Sequence, residues 1–161
     1  MVAGMKDAAA ITCRFARDED LEPRVIRELS DLVNRVYDEA ESGMWQAQGL
    51  RTSPSRIEAL LRAKELILAH CRGALVGCVN VKMMEPGVAE FGMLVADPAE
   101  RGKGIGSALV EAAEHWARAM QCRTMRLELL TPRLGPDGEW RGILEADGAT
   151  VAPFRPANVG F

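Results

Sequence analysis

Apolar positions recur along this chain with two periods, and the switches between them mark out its elements. Residues 10–16, AITCRFA, alternate weakly and predict a strand. Leu21, Val25, Ile26, Leu29, Leu32, Val33 and Val36 then fall at steps of three and four. That spacing predicts an amphipathic helix of about five turns, ending near residues 39–42 before Gly43. Asp18 and Asp20 stand ahead of it as N-cap candidates. Residues 41–53, ESGMWQAQGLRTS, keep no period and carry Met44, Trp45 and Leu50 among polar neighbours. This stretch reads as a loop, with Trp45 either plugging it onto the core or offering a binding surface. Ser53-Pro54 opens a second helix over SPSRIEALLRAK, with Ser53 as N-cap and Pro54 as its first residue.

The period then shortens. ELILAHC and ALVGCVNVKMM predict two strands joined at Arg72-Gly73, where Gly73 supplies the positive φ of a two-residue hairpin turn. Glu85-Pro86-Gly87 marks another turn, and VAEFGMLVA (88–96) follows as a third consecutive strand. Its apolar richness predicts a central strand covered on both faces. DPAERGKGIGSALVEAAEHWARAMQC passes from a turn through glycines into a helix with Leu109, Ala112, Ala113, Trp116, Ala117 and Met120 as its apolar stripe. RTMRLELL (123–130) reads as a strand and residues 132–138 as a loop. EWRGILEADG reads as a short helix weakened at Gly142. ATVAPF reads as a last strand, kept short or at an edge by Pro153. The order β, α, α, β, β, β, glycine loop, α, β, α, β predicts an α/β (α+β) fold, a mixed sheet with helices packed on it.

Composition narrows the function classes. The 161 residues predict a single domain spanning 1–161. A hydrophobic fraction of 48% and a charged fraction of 27% belong to a folded chain, not a disordered one. Twenty basic against twenty-three acidic residues leave a net charge of -3, which argues against a nucleic-acid partner. No apolar run has the length of a membrane helix, and MVAGMKDAAA lacks the apolar region of a signal peptide, so a cytoplasmic protein is expected. Cys13, Cys71, Cys78 and Cys122 form no C-x-x-C pair and read as buried thiols. With only His70 and His115, no metal site is expected. His115 reads as a solvated helix residue, and nothing near His70 in sequence completes a dyad. Met83, Met84 and Met93 read as core filling.

The chemistry concentrates in Arg101-Gly102-Lys103-Gly104-Ile105-Gly106-Ser107, between a strand and a helix. The first turn of a helix offers unpaired N–H groups and the positive end of its dipole, and glycines let a ligand approach the backbone. The lysine precedes the last glycines, so a Walker A loop is excluded. The G-x-G-x-G spacing, late in the chain, fits a dinucleotide fingerprint poorly. A phosphate cradle and a turn without ligand both remain open on spacing alone.

Arg101-x-x-Gly104-x-Gly106, after an apolar strand ending Val-Ala-Asp-Pro, resembles the Q/R-x-x-G-x-G/A acyl-CoA-binding motif of the GNAT superfamily of N-acetyltransferases. The resemblance implies a GNAT-like, mostly antiparallel central sheet flanked by helices. It implies acetyl-CoA as acyl donor, with its pyrophosphate on the amides of Arg101, Gly102, Lys103, Gly104, Ile105, Gly106 and Ser107. It also implies that the preceding strand pairs through the backbone of Leu94, Val95 and Ala96 with the pantetheine arm. The acceptor is a small-molecule or protein amine, and a homodimer is compatible with the resemblance. Family members often carry a glutamate eleven residues ahead of the motif, where Glu90 stands. By alternation Glu90, Gly92 and Leu94 share one face. As general base Glu90 would take the amine proton; as a residue near a strand start it would simply reach water. The family's tyrosine near the last helix is here Leu144, aligned on Gly148, and Tyr37 lies on the first helix. That departure keeps a non-catalytic acyl-CoA-binding module of the same fold as the alternative reading.

Overall fold

The computed structural model describes residues 10–40 and 50–127, with the backbone of three later segments, 131–134, 140–144 and 150–153. Strand β1 (Ile11–Phe15) leads through a tight turn at Asp18–Leu21 into helix α1 (Pro23–Ala40). Asp20 does not cap α1 as its position predicts. Its carboxylate accepts from the Arg17 amide at 2.7 Å and from both terminal nitrogens of Arg14, and so closes the turn. The helix begins instead at Pro23, whose missing N–H is no loss there, and Ile26 N–H makes an early bond to the Glu22 carbonyl at 3.1 Å. Helix α2 (Pro54–Arg62) starts as its sequence predicts, the Ser53 hydroxyl accepting from the Arg56 amide at 3.2 Å. Trp45 lies outside the described residues.

Strands β2 (Leu66–Cys71), β3 (Ala74–Glu85) and β4 (Val88–Ala96) form the predicted meander. Arg72 and Gly73 both have positive φ, 52° and 76°, in their two-residue turn. Helix α3 (Ile105–Ala119) then crosses to β5 (Thr124–Leu127), which runs parallel to β4. The sheet order is β1-β2-β3-β4-β5-β8, with every neighbouring pair but β4–β5 antiparallel. Strand β8 (Thr150–Pro153) stands at the end of the strand order, with Pro153 as its last residue, opposite Thr124.

The segment expected to be a short helix is a strand. β7 (Trp140–Leu144) pairs antiparallel with β6 (Thr131–Leu134), Leu144 opposite Thr131, so part of the predicted 132–138 loop is strand as well. Trp and Ile favour a pleated surface, and Gly142 breaks a helix more readily than a strand end.

The core has two layers, one on each sheet face. Ile105, Leu109, Ala113 and Ala117 of α3 pack on Ile67, Val79, Val81 and Ala89. Leu29, Val33, Ile57 and Leu60 of α1 and α2 pack on Leu66, Leu68, Cys78 and Val95. Trp116 leans on Phe15 with ring centroids 6.1 Å apart. Met120, counted in the α3 stripe by spacing, is the helix C-cap and is exposed. Cys71, Cys78 and Cys122 are buried and Cys13 half-buried, all as thiols outside any disulfide; burial pushes Cys78 up to about 12.

Candidate functional site: a parted strand pair and a glycine-rich helix start

The site grows out of β4. Its ladder with β5 consists of Val88–Thr124, Ala89–Met125 and Glu90–Arg126, and among the described residues β4 has no partner on that side beyond Glu90. On the β3 side, Gly92 pairs with Asn80 but Val95 with Cys78, so Met93 and Leu94 together face Val79 alone. This is a β-bulge, with Met93 at φ 46° in the left-handed region, where one bulge type places its first residue, commonly glycine. The bulge corrects the simple alternation. Lys82, Asn80 and Cys78 lie on one face of β3, so their partners Glu90, Gly92 and Val95 share that face, and Leu94 does not. Val95 is buried among α1 and α2, while Leu94 is exposed.

Beyond β4 the chain is fixed at Asp97. Its amide donates to the Val76 carbonyl at 2.8 Å, its carboxylate accepts from the Ala99 amide at 3.0 Å, and Arg35 pairs with it at 3.4 Å. A short turn, Pro98–Glu100, delivers the glycine loop. Gly102 and Gly104 have φ of 82° and 74°, a conformation that favours glycine. Gly104 is the N-cap of α3, and Ala108 N–H donates to its carbonyl at 2.9 Å. The amides of Ile105, Gly106 and Ser107 precede that bond and point out of the helix start. A β-carbon at Gly102, Gly104 or Gly106 would meet nothing within 4 Å. Packing therefore does not demand Gly106, and the space above the helix start is open. Arg101 is exposed beside it, and Lys103 is paired with Glu100, whose carboxylate raises the lysine pKa. Helix and strand meet because Gly77 has no side chain: a β-carbon there would fall 2.4 Å from the Val95 carbonyl oxygen and 2.9 Å from Ile105 Cγ2.

Glu90 is half-buried, with Lys82 Nζ 3.6 Å from its Oε1. Strand register adds Arg126 on its other side. Lys82, Asn80 and Arg126 escaped the sequence reading. Their signal was polar residues set inside apolar strands, legible only once register puts them on the face of Glu90. Tyr37 is half-buried with the Arg51 guanidinium 4.6 Å from its ring centre. His115 is exposed on α3. His70 lies on β2, lowered chiefly by burial, and lines a separate depression of about 270 Å³ with Glu19, Asp20 and Glu28. No group of His, Cys, Asp or Glu suited to a metal ion occurs among the described residues, and none of their helices is long and apolar enough to cross a membrane.

Among the described residues, three helices on a mixed sheet, with the parallel pair β4–β5 unpaired beyond Glu90 near the start of a crossover helix, define an acyltransferase-like α/β fold. The chain belongs to the acetyltransferase (GNAT) family, whose model matches residues 27–134. Comparison with curated protein sequences gives no match. Solved structures share the fold. A GNAT family acetyltransferase of Brucella melitensis, solved with acetyl-CoA, is 19% identical over 92% of this chain and 90% of that one, with a TM-score of 0.60. Rv2747 of Mycobacterium tuberculosis, solved with CoA and NLQ, is 22% identical over 74% and 64%, with a TM-score of 0.53. N-acetylglutamate synthase of Neisseria gonorrhoeae, solved with coenzyme A and N-acetyl-glutamate, is 22% identical over 77% and 26%, with a TM-score of 0.55. This chain thus spans 64% of the Mycobacterium protein and about a quarter of the synthase.

Proposed function

We propose that this protein is an acetyl-CoA-dependent N-acyltransferase that transfers the acetyl group directly to an amine held on the Glu90 face of β4. The observation that carries this reading lies at one end of β4. Beyond Glu90 a strand edge with no partner on the β5 side among the described residues runs there toward a helix start whose glycines keep the space above it clear. The two features suit one extended, phosphate-bearing donor. Amides of Ile105, Gly106 and Ser107, with Arg101 beside them, receive a pyrophosphate. The open backbone of Leu94, Val95 and Ala96 takes an extended arm as an added strand. CoA and acetyl-CoA in related structures support this donor.

Acetyl-CoA supplies an electrophilic thioester carbonyl. The acceptor must attack as a neutral amine, and Glu90, directly or through a water, takes its proton. The carbon–nitrogen bond forms, the carbon–sulfur bond breaks, and the electron pair leaves on sulfur. A thiolate of pKa about 8.5 tolerates departure without a dedicated acid. None is assigned, because Leu144 ends strand β7 and the tyrosine alignment through a last helix does not describe this chain.

The test is a pair of measurements on Gly106→Asp. No neighbour stands within 4 Å of the new β-carbon, and an acid in the first turn favours the helix. The free variant is therefore expected to melt at the wild-type temperature or about 1–4 °C above it. The rise in melting temperature that acetyl-CoA gives the wild type should be lost, because the carboxylate repels the pyrophosphate. A folded variant that binds acetyl-CoA like the wild type overturns the loop assignment. Stabilisation by acetyl-CoA without thiol release on any amine would favour the non-catalytic module, the reading to which the strand at Leu144 lends weight.

A further inference from the structure

Resting on the acyltransferase reading, we propose that Arg126 reads an acidic group on the acceptor, so that the amine acetylated is one that also carries a carboxylate. Lys82, Glu90 and Arg126 are register partners across β3, β4 and β5, so the three side chains form one row on the α1/α2 face of the sheet. The adjacent row holds Asn80 and Gly92. Two polar atoms here are shielded from solvent and unpaired among the described residues: Arg126 Nε has no acceptor there and Asn80 Oδ1 no donor. Native interiors rarely leave such atoms unmatched, and each asks for a partner that the described residues do not supply. Between them the floor is clear, since a β-carbon on Gly92 would meet nothing within 4 Å. β3 and β5 flank β4 about 10 Å apart at the backbone, a gap that side chains narrow to the span of a small molecule.

The chemistry of the two orphans is complementary. Asn80 Oδ1, with the Glu90 carboxylate beside it, accepts from an amine. Arg126 offers a planar set of donors that suits a carboxylate better than any other common group. The row contributes two cations against one carboxylate, and that carboxylate is already paired with Lys82 at 3.6 Å. Its surplus positive charge repels a second ammonium, as in a diamine, and attracts an anion. A molecule with one amine and one carboxylate satisfies both orphan atoms and the local charge. Arg126 acts here as a binding residue for the acceptor and has no part in bond-making.

The probe is a panel of α-, β- and γ-amino acids, their carboxamides and simple diamines, offered with saturating acetyl-CoA and followed by thiol release. The wild type is expected to use at least one acid about 10-fold or more better in kcat/KM than its own carboxamide, mainly through KM. Arg126→Gln should bring that ratio close to one while the Kd for acetyl-CoA stays unchanged, and Arg126→Lys should keep part of the preference. If Arg126→Gln does not fold, the wild-type ratio and Arg126→Lys decide. A preference for carboxamides or diamines, or an acid preference that survives Arg126→Gln, overturns the inference. So does the absence of turnover with every acid in a protein that acetyl-CoA still stabilises. Absence of that stabilisation overturns instead the donor reading beneath it, and this inference with it.

Discussion

Gly77→Ala tests how the helix start is held against the strand. The added methyl would lie 2.4 Å from the Val95 carbonyl oxygen, 2.9 Å from Ile105 Cγ2 and 3.1 Å from Leu109 Cδ1. The two side-chain tips can turn aside, but the carbonyl belongs to β4 and is held by the Gly77–Ala96 and Cys78–Val95 register. The end of β4 and the first turn of α3 must therefore move apart. Overpacking costs about 1–3 kcal/mol, and contact with backbone puts this case in the upper half of that range. Loss of glycine's freedom in the unfolded chain offsets about 0.4–1 kcal/mol. The net, about 1–2.5 kcal/mol, corresponds to a fall in melting temperature of about 2–10 °C for a chain of this size. Scanning calorimetry measures it, and the same scans with acetyl-CoA show whether the donor-induced rise shrinks as the two halves of the site separate. Gly92→Ala is the control for stability, since its methyl meets no neighbour within 4 Å and should cost less than about 0.5 kcal/mol. A Gly77→Ala protein within about 1 °C of the wild type, with an undiminished response to acetyl-CoA, would refute the account of how strand and helix are joined.

Two further outcomes follow from named pairs. The Arg14 guanidinium bonded to Asp20 holds that carboxyl below its ordinary 3.8. The pair's contribution is therefore fully present above that value and is lost as pH falls through the lower folded value. Asp20→Asn should cost about 1–3 kcal/mol at neutral pH, and that cost should shrink as pH falls below 3.8; urea midpoints at neutral and acid pH check this, and an equal gap at both would sink it. Glu90→Gln should lower turnover about 10²–10⁴-fold at neutral pH, with the loss shrinking at alkaline pH where the amine is already neutral, and should leave the acetyl-CoA Kd alone. A pH–rate profile parallel to the wild type's would reduce Glu90 to the structural partner of Lys82.

Local stereochemistry was the most legible part of this sequence. Ser53-Pro54, Arg72-Gly73 and the glycines after Pro98 act within a few residues of themselves, so each start, turn or loop could be read where it stands. Readings that depended on distant partners fared worse. Asp20 was free to cap a helix until Arg14 of the neighbouring strand claimed it. WRGIL is short enough to serve as helix or strand, and its pairing with β6 decides. Met93 gave no warning of a bulge, because positive φ in such a place is commonly announced by glycine. Without that bulge the parity of β4 beyond Gly92 is misread, and Leu94 is put on the face that Val95 holds. The polar row around Glu90 lies on three strands from two parts of the chain, so no window along the sequence contains it.

The bulge also explains how one strand serves two environments. In its first half β4 is paired on both sides and carries Glu90 in a cross-strand row; in its second half its partner among the described residues is β3. A left-handed methionine costs about 1–2 kcal/mol. It persists because the extra residue turns Val95 into the α1/α2 core, where Val95 is fully buried, while Ala96 remains opposite Gly77. Regular alternation would send Leu94 into that core and carry Val95 away from it. The strand end would then no longer be anchored from the α1/α2 side. An open strand edge invites pairing with any extended chain, and proteins normally cover it. Here the edge ends at a helix start that is also left uncovered, with Gly77 holding strand and helix at a distance no other residue allows without movement. Two adjacent sets of unpaired backbone groups, one suited to an extended arm and one to an anion, form a single surface. The polar row that begins at Glu90 lies beside the same parting of β4 from β5. On the proposed reading, donor and acceptor are thus brought to one strand by a bulge and a glycine.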